Sequence, residues 1–131
     1  MRVWKPKEIK ELIAPDSLIQ LEHDFKITTK EFLTLARKTM PTVALMTACG
    51  ALHSRQTDDE KRYHKTIQRN GIGFSKTDAK KISEIYQWWL EKRFLTVKQE
   101  WRVRVTLRKY SKQLAEIATL RSTQKTSQPH S

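Results

Sequence analysis

Lys98, Arg102, Arg104, Arg108, Lys109 and Lys112 crowd one short stretch of the chain, with Trp101 among them. Drawn on a helix at about 100° per residue, these cations cover a broad arc. Opposite them runs an apolar stripe of Val103, Leu107, Tyr110, Leu114 and Ile117, at spacings of four, three, four and three. Trp101 and Val105 project into the middle of the basic arc. The chemistry this combination can perform is binding. Cations neutralise phosphates, and an indole offers a flat face to an unpaired base. The competing reading packs Trp101 against a neighbouring helix and leaves the cations as a solvated face.

A second basic cluster comprises Lys61, Arg62, His64, Lys65 and Arg69. It follows Thr57 and Glu60, a capping-box pattern with Asp58 and Asp59 in the first turn. A helix over 57–69 would let these cations line a groove shared with the first cluster, or would simply be solvated. Trp88 and Trp89 are adjacent. Trp89 matches a core stripe of Ile82, Ile85 and Tyr86, whereas Trp88 belongs at a helix boundary or on the surface.

No catalytic arrangement stands out. Asp58, Asp59 and Glu60 are explained by helix N-terminal electrostatics. The run from Asn70 to Phe74 lacks the lysine and spacing of a phosphate loop. Cys49 and His53 are four apart, but His23, His64 and His130 are scattered, so no zinc-type ligand set forms. No metal, cofactor or small-molecule substrate is expected, and the chain reads as a non-enzyme.

The elements that must position these residues are helices. Pro6 suits a first helical position, and Pro15 ends the helix it opens. A second short helix starts near Asp16 and carries Leu18, Leu21 and Phe25. Thr28 with Glu31, and Thr96 with Gln99, are further capping boxes, and Ser75 with Asp78 can cap a helix over 76–92. The stretch 42–53 is apolar nearly all round, as a central helix would be. The last helix is expected from Val97 to Leu120. A helix-turn-helix reader is disfavoured, because 42–53 is too apolar to present polar groups to base edges.

The 131 residues carry 26 Lys and Arg against 14 Asp and Glu, a net charge of +12 that favours a polyanionic partner. Three Gly and four Pro are too few for a turn-rich β fold. One cysteine excludes an internal disulfide and fits a reducing compartment. The start has no apolar run of signal-peptide length, and no stretch is long enough to span a bilayer, so a cytoplasmic protein is expected. The expected architecture is an all-α compact bundle of five to six helices, a single domain over 1–120, followed by a disordered polar tail over 121–131.

Asn70-Gly71, Gly73-Phe74-Ser75, Asp78-Ala79, Leu95-Thr96, Lys98-Gln99, Lys109-Tyr110 and Gln113-Leu114 carry a resemblance. From Arg69 to Leu114, about a third of the chain, it resembles a short helical module of phage- and mobile-element-encoded proteins. Some of those stand alone and others form part of helicase-like DNA-processing proteins. The resemblance implies a mobile-element context and a nucleic-acid pathway, and it transfers no catalytic residue.

The function expected from these features is largely sequence-independent binding of DNA or RNA, single strands favoured, by an accessory subunit of a larger protein complex. The expected contacts are Lys61, Arg62, Lys65, Arg69, Lys98, Trp101, Arg102, Arg104, Arg108, Lys109 and Lys112. The alternative is a basic inhibitor or regulator docking on an acidic, DNA-mimicking surface of a partner protein.

Overall fold

The computed structural model describes residues 2–63 and 74–127, with residues 56–63 and 123–127 described at the backbone only. Seven helices and no strand occur among the described residues. They are α1 (Pro6–Ile13), α2 (Asp16–His23), α3 (Thr29–Thr39), α4 (Thr42–Tyr63), α5 (Lys76–Lys92), α6 (Val97–Arg108) and α7 (Ser111–Ser127). The all-α expectation holds, with seven helices in place of five to six. Among the described residues no helix is long and apolar enough to cross a membrane.

Local chemistry accounts for where most helices start. Pro6 opens α1, and the Lys5 N–H donates to Glu8 Oε1 at 3.1 Å. At α3, the Glu31 N–H donates to Thr28 Oγ1 and the Thr28 N–H to Glu31 Oε1, each at 3.1 Å. Ser75 Oγ accepts the Asp78 N–H at 3.3 Å to start α5. Thr96 and Gln99 repeat the reciprocal pattern at α6, at 2.9 and 3.2 Å. Each device satisfies N–H groups that a first helical turn leaves without carbonyl partners.

Three boundaries depart from expectation. The Thr57 and Glu60 pattern starts no helix, because α4 runs unbroken through it to Tyr63. Capping matters only where the chain breaks, and no Gly or Pro interrupts 53–63. The single helix expected from Val97 to Leu120 is two helices. The Lys109 and Tyr110 N–H groups bond back only three residues, to the Thr106 and Leu107 carbonyls at 3.0 Å each, tightening the turn between them. Tyr110 Oη donates to Asp78 Oδ2 at 2.6 Å and accepts the Ser75 N–H at 2.9 Å, which pins this corner to the start of α5. Finally, α7 runs to Ser127, past the Leu120 end expected for the last helix.

The central element is α6, which packs against α1, α3, α4 and α5. Its Val103 and Leu107 are completely buried, in a core shared with Ile13, Phe32, Leu45 and Phe74. The helix α4 is less enclosed than its composition suggests. It buries Leu45, Met46, Cys49 and Leu52, but Val43 is 65% exposed, giving α4 a solvent side. The segment before α1 lies along α7, with the Trp4 N–H on Thr119 Oγ1 at 2.9 Å and the Arg2 N–H on Ser122 Oγ at 3.2 Å.

Candidate nucleic-acid interface

Because α6 is central, its supposed basic arc is divided between core and surface. Arg104 is the largest correction: its exposure is 0%, so it cannot meet a phosphate. Its guanidinium donates to Glu100 Oε2 at 2.9 Å, to the Ile13 carbonyl at 2.8 Å and to the Met40 carbonyl at 2.7 Å. Those carbonyls close α1 and α3, where the helix leaves acceptors without N–H partners and the dipole favours a cation. Glu100 is equally enclosed, at 1% exposure. It also accepts from Arg37 Nη2 at 2.7 Å and from Thr42 Oγ1 at 3.1 Å. Burial alone would push the Glu100 carboxyl up, but the bonds from Arg37 and Arg104 outweigh it and hold it below the usual carboxylate range. Burial pulls Arg104 down from its ordinary value against the opposing pull of Glu100, and a guanidinium stays charged regardless.

The other cations of the stretch fall into two sets. Arg108 pairs with Asp16, and Lys109 Nζ lies 2.9 Å from Asp78 Oδ2. Burial raises and the bonds from Tyr110 and Lys109 lower the Asp78 carboxyl, which ends below its ordinary value. Lys98, Arg102 and Lys112 form no ion pair among the described residues. Lys98 and Arg102 meet Lys81 of α5 around a cleft of about 330 Å³, which Glu84 and Gln99 also line. Lys81 follows Lys80 on α5, outside the two basic clusters singled out in the sequence, and the packing of α5 on α6 brings it here. Lys61 and Arg62 lie where the backbone alone is described, and His64, Lys65 and Arg69 lie outside the described residues.

Trp101 is half-buried and packs against the core, with its indole N–H donated to Glu22 Oε1 at 2.8 Å. It also lines a groove of about 620 Å³ with Ile19, Phe25 and Val105. The packing reading of Trp101 thus describes its contacts within the fold, and its indole also borders the groove. Phe25 is absent from the expected contacts, yet it is 94% exposed at the groove edge with φ of 58°. A sequence signal existed in principle, since no glycine follows α2 to take the left-handed cap position.

Trp88, Cys49 and His53 make their contacts within the fold. Trp88 packs on Phe94 edge-to-face at 5.8 Å and donates its indole N–H to the Phe94 carbonyl at 2.9 Å. Cys49 is buried, which pushes its thiol up to about 12, and His53 stacks obliquely on Tyr86 at 5.6 Å. Among the described residues no three His, Cys, Asp or Glu side chains gather as a metal site would require. Comparison with protein-family models, curated proteins and solved structures finds no match to this chain.

Proposed function

We propose that this chain is a non-catalytic, largely sequence-independent nucleic-acid-binding protein, acting in the cytoplasm as an accessory subunit of a larger nucleoprotein complex from a phage or mobile element. The observation that carries the reading is the cleft between α5 and α6. There Lys81, Lys98 and Arg102 stand together with no ion pair among the described residues. With 26 Lys and Arg against 14 Asp and Glu the chain must carry cations in excess of its acids, and this cleft gathers three that have no ion pair among the described residues. Unpaired cations of one sign in a concave site concentrate field and attract a polyanion. They meet its backbone rather than its base edges, so the binding discriminates little between sequences.

The test is oligonucleotide binding across a salt series. If roughly four to six phosphates are neutralised, log affinity falls against log salt with a slope of about −3 to −5. The double variant Lys98→Ala, Arg102→Ala should lower the magnitude of that slope by up to ~2, with an unchanged thermal midpoint because neither residue is core. A flat salt response removes the proposal. Retention on heparin without oligonucleotide binding would instead assign the basic surface to an acidic protein partner.

A further inference from the structure

We propose that the groove between α2 and α6 holds an unpaired base of a nucleic-acid strand, stacked against Phe25 and Trp101. This rests on the nucleic-acid reading and adds a second, chemically distinct site to it. The first observation is Phe25 itself. The Phe25 N–H bonds the Glu22 carbonyl at 3.0 Å and the Lys26 N–H bonds the Leu21 carbonyl at 2.8 Å. That is the paired closure of a helix whose cap residue must adopt the left-handed region, a position that glycine fills without strain. Phe25 occupies it at φ of 58° and is 94% exposed. A bulky residue there is a backbone outlier, and the exposed ring returns almost no burial to the fold. Folding therefore does not account for a phenyl group at this corner, and a role outside the fold does.

The second observation is the groove that Phe25 borders. Trp101 lines it while its indole N–H is fixed on Glu22 Oε1. Ile19 and Val105 complete an apolar wall, and the volume of about 620 Å³ lies in the range of small-ligand sites. The carboxylate in that wall is engaged by the indole through one oxygen and has the other sealed from solvent. Lys10 on α1 borders the apolar wall with no ion pair among the described residues, and Lys109, beyond the end of α6, borders it while holding Asp78. The occupant that matches is a flat, apolar group with an anion beside it on the Lys10 side. A nucleotide within a single strand has that chemistry, its base meeting aromatic faces while an adjoining phosphate meets Lys10.

Phe25→Gly tests this with stability and affinity moving apart. Glycine relieves the cap, so the thermal midpoint should stay or rise. Affinity for a labelled oligothymidylate should fall roughly 5- to 100-fold with the salt slope unchanged. Phe25→Leu, still apolar but not aromatic, should fall similarly, whereas a duplex should bind both variants as it binds the parent. Parent binding to oligothymidylate with no loss in Phe25→Gly overturns the base site and leaves the phosphate cleft standing. No oligonucleotide binding by the parent overturns both. Loss confined to a polyglutamate probe would give the groove to an acidic protein segment and overturn the inference.

Discussion

Arg104 brings a charge into a space with no exposed surface, and it is stable there because every direction supplies an acceptor. Glu100 balances the charge, and the carbonyls that end α1 and α3 receive the remaining donors. Replacing it by alanine would leave the Glu100 carboxylate short of a partner and two helix ends open. Removing one member of a buried pair typically costs about 3–5 kcal/mol, and Arg104→Ala should lose that much by denaturant unfolding. Arg104→Lys should recover little, since one ammonium cannot span the planar fork of contacts. A loss under 1 kcal/mol would mean the pair behaves as a surface pair does. The sequence does contain the clue, since Glu100 and Arg104 are four apart. That spacing also describes an ordinary surface pair, and the helix wheel placed Arg104 among residues that do reach solvent. What separates the two is the neighbouring ends of α1 and α3, which local spacing does not encode.

Helix starts, by contrast, were legible at three of the four places where a cap and its partner stand three residues apart. Thr28, Ser75 and Thr96 all receive the N–H that their patterns announce. Thr57 has the same pattern and no such role, because it lies inside α4. The two cases predict opposite responses to one substitution. Thr96→Ala should cost about 1 kcal/mol by losing a cap. Thr57→Ala should be neutral or stabilising by a few tenths of a kcal/mol, since alanine is the better helix former. Thermal unfolding of the two variants beside the parent checks this, and an equal cost at both sites would restore a helix start at Thr57. The break between α6 and α7 was not legible, because no Gly or Pro marks it. It is set by Tyr110, whose hydroxyl reaches Asp78 and Ser75 more than thirty positions away in the chain. The same break explains why Trp101 and the cations from Lys98 to Arg108 share one helix while Lys112 belongs to the next.

At the scale of the molecule, the charge of +12 was legible from composition, but its distribution was not. Arg37, Arg104, Arg108 and Lys109 are engaged by carboxylates, while Lys81, Lys98 and Arg102 have no ion pair among the described residues. Stability therefore depends on a small set of ionised acids inside a strongly cationic chain. Glu100 and Asp78 both hold their folded carboxyls below the ordinary values. Their stabilisation is complete above the unfolded values of roughly 4.3 and 3.9, and it is lost as pH falls through the lower folded values. Over the same window the 14 acids neutralise and leave 26 Lys and Arg opposed only to one another. Self-repulsion then adds to the lost pairs. The thermal midpoint should accordingly drop steeply on acidification below pH ~4. Added salt should restore the part due to repulsion between exposed cations, since exposed charges are screened and buried ones much less so. It should not restore the part due to Glu100, which no solvent ion reaches. Glu100→Gln separates the two contributions. It should begin less stable at neutral pH, decline less on acidification, and keep the salt-sensitive component intact. A midpoint that stays level down to pH ~3 in the parent would show that neither carboxylate holds the fold, and full rescue by salt would show that repulsion alone governs the acid limb.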